Sequence, residues 1–433
     1  MSDKDRRELS TGKKRSQCNR RLLITAIALS ILGVVILPMA GFLYLRSAVM
    51  SISENSDEYL RKLVQQVNDN RNLLWKAKYN RFGVKNQSWG FDYTPNATAV
   101  QEVLDQLLAF FDSDTMKRHI QELVDFPDSS LPTHFDARLK WPHCPSIARI
   151  PNQGGCGSCY AVAAAGVASD RACIKSNGTY KASLSEEDIL GCCAVCGNCY
   201  GGDPLKALVY WVNEGIVTGG RDGCRPYSFD LSCGVPCSPA TFPGAEKNRI
   251  CVRRCQDIYY QNKYDDDKHY ASIAYSMYPR TMTVASDGSV RAQVPTIIGH
   301  LNKTSSTPMN IVQIRNILKK EIALFGPMTM AFPVSEEFLH YASGIFQPYP
   351  LEDLDKRIVY WHVVRLIGWG QAEDGSHYWT AINSFGEHWG DSGGNTPSVE
   401  QAIQREVTDD SSLTSLSNSC ENRITNAMHD EHS

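Results

Sequence analysis

Apolar and polar positions divide the 433-residue chain into distinct stretches. Leu22 to Leu45 is a run of 24 residues without a charge. Such a run is long enough to cross a hydrocarbon core of about 30 Å as a helix. Pro38 and Gly41 are tolerated within a membrane helix. From residue 46 to 130 the chain is polar, with apolar positions at helical spacing: Leu60, Leu63, Val64 and Val67, then a second amphipathic stretch from Val100 to Phe111. The segment from Phe126 to Pro132 has the proline and serine content of a boundary. Residues 131–394 read as globular. They include an alanine-rich helical run, Ala161 to Ile174, and two strand-like runs, Val363–Gly370 and His377–Ile382, separated by the turn signal Glu373–Ser376. Residues 395–433 are rich in Ser, Thr, Asn and acids and are expected to be a disordered tail.

Charge adds an orientation. Residues 1–21 hold eight Lys or Arg against three acids. Basic flanks stay on the cytosolic side, so everything after Arg46 is expected outside the cytosol. The chain is thus predicted to be a single-pass type II membrane protein, lumenal or extracellular (endolysosomal or cell surface). A cleaved signal, giving a secreted or lysosomal protein, is the alternative. Signal peptides use a core of only ~7–15 apolar residues, and no clear Ala-x-Ala site follows this one. Four Asn-x-Ser/Thr sequons, at Asn86, Asn96, Asn177 and Asn302, all lie beyond the apolar run. Thirteen of the fifteen cysteines fall between Cys144 and Cys255, the density of a disulfide framework in an oxidising compartment. The overlapping CxxC pairs at Cys193, Cys196 and Cys199 also raise a zinc site, but no second pair stands at ribbon spacing. A net charge of -3 offers no field for nucleic acid.

The candidate chemistry opens the globular part. Gln153-Gly154-Gly155-Cys156-Gly157-Ser158-Cys159-Tyr160 turns tightly into the helical run, placing Cys159 at a helix N-terminus. The positive end of the helix dipole favours a thiolate, the form that attacks carbonyls. The Gln153 amide is within reach to donate to a developing oxyanion. Far downstream, His362 heads one strand-like run and Asn383 follows the other. A hairpin would set them roughly opposite each other, with the Asn amide fixing the imidazole tautomer.

The segment Cys156-Gly157-Ser158-Cys159-Tyr160 matches the established papain/cathepsin signature. From about residue 131 to 394 the chain resembles the papain family, and within it cathepsin B. The resemblance also rests on Leu131 to Arg138, Cys199-Tyr200-Gly201-Gly202, Gly223 to Tyr227, Asp267 to Tyr270 and His362 to Gly370. Upstream, Trp75 to Phe82 is similar to the short propeptide of that branch. The resemblance implies an α+β fold of two lobes: a helical left lobe with the Cys159 helix and a β-rich right lobe with His362. The segments before it would be a basic cytosolic stretch (1–21), a transmembrane signal-anchor (22–45), and a stem and propeptide (46–130).

The resemblance implies a cysteine endopeptidase made as a zymogen. Cys159 would be nucleophile, His362 acid and base, Asn383 orienter and Gln153 oxyanion donor. Gly201, Gly202 and Trp361 would line the substrate cleft. Six disulfides are implied: Cys144–Cys173, Cys156–Cys199, Cys192–Cys251, Cys193–Cys196, Cys224–Cys255 and Cys233–Cys237. The expected partners are peptide or protein substrates, the protein's own propeptide as inhibitor, and the membrane through residues 22–45. Neither cofactor nor metal nor nucleic acid is implied. Departures from the family point to an alternative, a catalytically impaired binding or scaffold protein. Tyr160 and Phe385 replace tryptophans. Trp361 stands where cathepsin B has a cleft-lining Gly. An insertion falls near Met277–Asn310. The two terminal right-lobe strands that should follow Gly393 give way to the polar tail. The region from Cys233 to Cys255 lacks the histidines with which cathepsin B holds a substrate's C-terminal carboxylate. Lys247, Arg249, Arg253 and Arg254 are the cations nearby.

Overall fold

The computed structural model describes residues 58–80, 97–228, 249–283, 291–349, 354–387, 389–390 and 401–403. The chain forms two compact units, residues 1–63 and 64–433. Of the first, only helical residues 58–63 are described. The expected anchor at 22–45, Asn86, Asn96 and the Cys233–Cys237 pair lie outside the described residues. Among those described, no helix is long and apolar enough to cross a membrane.

In the second unit, residues 64–69 are helical. The longer helices that follow are α1 (Ala97–Asp112), α2 (Asp114–Asp125), α3 (Cys159–Lys175), α4 (Glu186–Cys192), α5 (Pro204–Asn213), α6 (Ile297–Thr304) and α7 (Ile311–Phe325). Strands are β1 (Trp75–Ala77), β2 (Phe135–Asp136), β3 (Gly197–Asn198), β4 (Gly201–Gly202), β5 (Thr281–Thr283), β6 (Arg291–Gln293), β7 (Met328–Ser335), β8 (Tyr341–Phe346), β9 (Ile358–Gln371), β10 (His377–Ile382) and β11 (Gln401–Ile403). The amphipathic stretch at Val100 becomes α1. Its Val100, Val103, Leu104 and Leu107, at the i, i+3, i+4, i+7 spacing of one helix face, are all buried.

A seven-stranded sheet runs β1-β8-β11-β10-β9-β2, with β7 pairing on β9. Beneath it lies a core that includes Phe332, Val334, Phe338, Val364, Leu366 and Trp369. A second core gathers the alanine-rich face of α3 with Ile189, Ala207 and Trp211 from the neighbouring helices. Small side chains let these helices approach closely, which holds Cys159 firmly at the start of α3. Arg365 of β9 ties the two together: its Nη1 donates to Asp170 Oδ2 of α3 at 2.5 Å, with both groups buried.

One expectation changes here. The polar tail from 395 to 433 is expected to lack structure, yet residues 401–403 form β11. That strand pairs antiparallel with β10 and parallel with β8. Backbone groups along β8 and β10 need partners in a sheet, and β11 supplies them. The insertion near Met277–Asn310 builds the β5–β6 hairpin and α6.

Candidate active site

Cys159 is the first residue of α3 and the only free cysteine among the described residues. Five disulfides surround it: Cys144–Cys173, Cys156–Cys199, Cys192–Cys251, Cys193–Cys196 and Cys224–Cys255. All five are pairings that the resemblance implied, and they leave Cys193, Cys196 and Cys199 without thiols for a metal. Cys156–Cys199 and a hydrogen bond from Gly157 N–H to the Cys199 carbonyl (2.7 Å) clamp the turn before Cys159 onto the β3–β4 loop. A Cβ at Gly157 would stand 2.6 Å from that carbonyl, and one at Gly202 would stand 2.6 Å from the Tyr160 ring. Glycine is therefore required for this close approach.

The hairpin β9–β10 forms around the expected turn, with His377 opposite Gln371. A bulge between Thr380 and Ala381 then shifts the pairing to Ile382 opposite Arg365, which brings Asn383 one position nearer to His362 without setting the two directly across. The side chains still meet, with His362 Nε2 2.7 Å from Asn383 Oδ1. Ser384 N–H donates to the same Oδ1 at 2.7 Å. A backbone N–H can only donate, so that atom is the amide oxygen and the His362 proton sits on Nε2. Nδ1 is thereby the basic nitrogen. The imidazole is buried, stacked on Phe385 at 4.8 Å and edge-on to Phe332 and Tyr360. Phe385 thus takes the shielding position expected of a tryptophan.

Burial dominates the electrostatics of the site. Burial pushes the Cys159 thiol up to about 11, although the backbone N–H groups of Val363, Tyr160 and Cys159 itself favour the thiolate. Burial also lowers His362 to about 4, partly offset by the bond to Asn383. Desolvation outweighs the helix dipole that sequence reasoning invokes. Between these two values both groups are neutral. The Val363 contact also places the sulfur beside the residue that follows His362.

Gln153 is buried and held on four sides. Its Nε2 donates to the Cys156 carbonyl (3.0 Å) and its Oε1 accepts from Ser384 Oγ (2.5 Å). Its backbone N–H donates to the Ser384 carbonyl (2.8 Å), and Tyr227 OH donates to its carbonyl (2.7 Å). Sequence reasoning misses Ser384, Tyr227 and the Arg365–Asp170 pair. A lone arginine inside the apolar run Val363–Leu366 is the available signal for the last, because a buried charge demands a partner. Gly201 and Gly202 form β4, and Trp361 is half-buried on β9 opposite Pro333. Of the candidate carboxylate anchors, Arg249 faces Glu187 at 3.6 Å, while Arg253 and Arg254 are exposed. Lys247 lies outside the described residues. Asn177 is exposed in a turn at φ 53°, and Asn302 uses its side-chain oxygen to accept from Met309 N–H.

Known proteins resemble this chain. The chain is 36% identical over 288 residues to a cathepsin B-like cysteine proteinase of Schistosoma japonicum, covering 64% of this chain and 72% of the relative. It is 33% identical over 349 residues to cathepsin B-like cysteine proteinase 6 of Caenorhabditis elegans, covering 76% of each. The fold matches that of proCathepsin B S9 from Trypanosoma congolense with a TM-score of 0.52 at 23% identity, over 80% of this chain and 92% of that one. The family model described as papain family cysteine protease matches residues 131–297 and 295–408, a span that takes in α3, the whole β9–β10 hairpin and β11. With a free cysteine heading α3 and an imidazole–amide pair on that hairpin, this chain belongs to the papain family of cysteine proteases.

Proposed function

We propose that the protein is a membrane-anchored endopeptidase, synthesised as a zymogen, in which Cys159, His362, Asn383 and Gln153 carry out peptide hydrolysis. One observation carries the assignment: the single unpaired described cysteine heads α3 with its sulfur against the backbone beside His362. Catalysis would begin when the Cys159 proton passes to His362 Nδ1 and the sulfur attacks the scissile carbonyl carbon. Asn383 keeps Nε2–H in place throughout. The oxyanion would face the Cys159 backbone N–H and the Gln153 amide. His362 then protonates the leaving amine, and water, deprotonated by the same imidazole, releases the acyl group.

The docking of residues before Leu131 supports a latent precursor: β1 pairs with β8, and α1 and α2 are packed into the fold. The 24-residue uncharged run at 22–45, behind its basic flank, supports the anchor. Trp361 beside His362 favours one rival, a binding protein that keeps the fold without turnover. Labelling with a thiol-directed epoxide after cleavage before Leu131 separates the two. We expect label on Cys159, and loss of label and hydrolysis in Cys159→Ala. Full hydrolysis by that variant refutes the nucleophile, and absence of label in the cleaved wild type favours the binding protein. Carbonate extraction tests the anchor, since a soluble glycoprotein beginning near residue 46 would refute it.

A further inference from the structure

The helices α1 and α2 precede Leu131, yet they are built into the fold as core. Val100, Val103, Leu104 and Leu107 of α1 pack with Leu205 and Val209 of α5 and with Ala274, Met282 and Val294 of the inserted region and its approach. Met116 and Leu123 of α2 pack with Met277, Ile297, Ile298 and Ile317. Every side chain in these two groups is less than 8% exposed. The contacts are side chain to side chain. Residues 74–80 are held both by backbone hydrogen bonds to β8 and the residue before it and by Trp75 and Ala77, which are buried in the core with Tyr341 and Phe346.

A polar anchor lies inside the α2 contact. His119 stands in the apolar stripe of α2, and its Nε2 is 2.8 Å from Glu321 Oε2 on α7. Glu321 Oε1 accepts from Arg171 Nη2 of α3 at 2.8 Å and from Tyr275 OH at 2.5 Å. Burial opposes the Glu321 charge, but His119 and Arg171 bring that carboxyl down to about 2. Nearer the boundary, Asp128 accepts from Lys320 Nζ and Asn316 Nδ2, each at 2.7 Å. Removing α1 and α2 would uncover apolar side chains of two clusters, Met282 and Val294 beneath α1 and Met277, Ile297 and Ile298 beneath α2, and soluble proteins avoid such exposed apolar patches.

We propose that the inserted region, together with α5 and α7, is a permanent docking surface for residues 97–125. That segment stays bound as a noncovalent subunit after the chain is cut before Leu131. The proposal rests on the reading that maturation cuts there, so the test supplies its own cuts. One protease site is inserted after Lys85 and another after Ser130, in the full chain carrying Cys159→Ala. After digestion, native gel filtration should show the 86–130 fragment co-eluting with the catalytic portion in equal amounts. Separate elution of that fragment overturns the proposal. The companion variant Leu104→Asp with Leu107→Asp should lose the fragment once cut, and its retention there would overturn the role of this face. Activity and labelling are read separately on digested protein with Cys159 intact, so a failed docking and a failed protease reading give different results.

Discussion

Acidification should loosen the hold of the fold on residues 78–80, and His340 is the reason. This imidazole is fully buried immediately before β8. Its Nδ1 accepts from Asn80 N–H at 3.0 Å, its carbonyl accepts from Lys78 N–H at 2.7 Å, and its ring stacks on Tyr79 at 5.7 Å. An imidazole that accepts at Nδ1 is neutral. Protonation would set two donors, Nδ1–H and the Asn80 N–H, against each other. Burial lowers His340 to about 4, although Glu336 nearby favours the charge. An undocked imidazole titrates near 6.5, so the undocked state binds more protons between those values. The contribution of His340 to docking is complete above about pH 6.5 and falls as pH drops toward 4. At pH 5 the loss is at most about 2 kcal/mol, or roughly thirtyfold in the docking equilibrium, the limit in which undocking returns the whole ring to water. Amide hydrogen exchange at residues 74–80 in the Cys159→Ala protein, corrected for intrinsic rates, reads this directly. Protection should fall by up to about that factor between pH 7.5 and 5. His340→Gln retains an acceptor without the titration and should flatten the response. Equal acid sensitivity in wild type and His340→Gln would refute the reasoning.

Other expectations follow from the same geometry. Asn383→Ala removes the bond that holds His362 Nε2–H and should lower kcat about ten- to hundredfold, with little change in KM; an unchanged kcat would show that the imidazole is oriented by its aromatic neighbours alone. Trp361→Gly should raise kcat/KM most for substrates with bulky side chains, and a uniform effect across a peptide series would count against a cleft-narrowing role. Deleting residues 395–433 removes β11 from between β8 and β10 and should lower Tm by several degrees, at roughly 2–4 °C per kcal/mol; a thermal scan unchanged by the deletion would show that β11 adds nothing. Among the candidate carboxylate anchors, Arg249 is committed to Glu187, so a peptide with a free C-terminus should be cut no faster than its amide; a strong preference for the free carboxylate would point to Arg253 or Arg254.

The chemistry was legible because it is local or carried by a short motif. Glycines and a serine before Cys159 make a tight helix entry, and the amphipathic spacing of Val100, Val103, Leu104 and Leu107 makes a helix with one buried face. A turn signal between two apolar runs makes a hairpin. The cysteine pairings were legible only through resemblance, because spacing alone leaves many connectivities open. The bulge at Thr380/Ala381 was not legible. A one-residue shift depends on how both strands pack, and nothing in either strand announces it.

What the sequence by itself determined is the set of elements and the identity of the reacting groups: a cysteine heading a helix, a histidine and an asparagine on either arm of a hairpin. Tertiary structure alone decided how those groups titrate. Burial raises Cys159 and lowers His362, and burial is a property of the whole packing rather than of any segment. It also decided which distant pieces meet: β11 with β8 and β10, Asn80 with His340, His119 with Glu321. Each joins residues far apart in the chain, and such pairings follow from the closure of the fold, which no local pattern encodes.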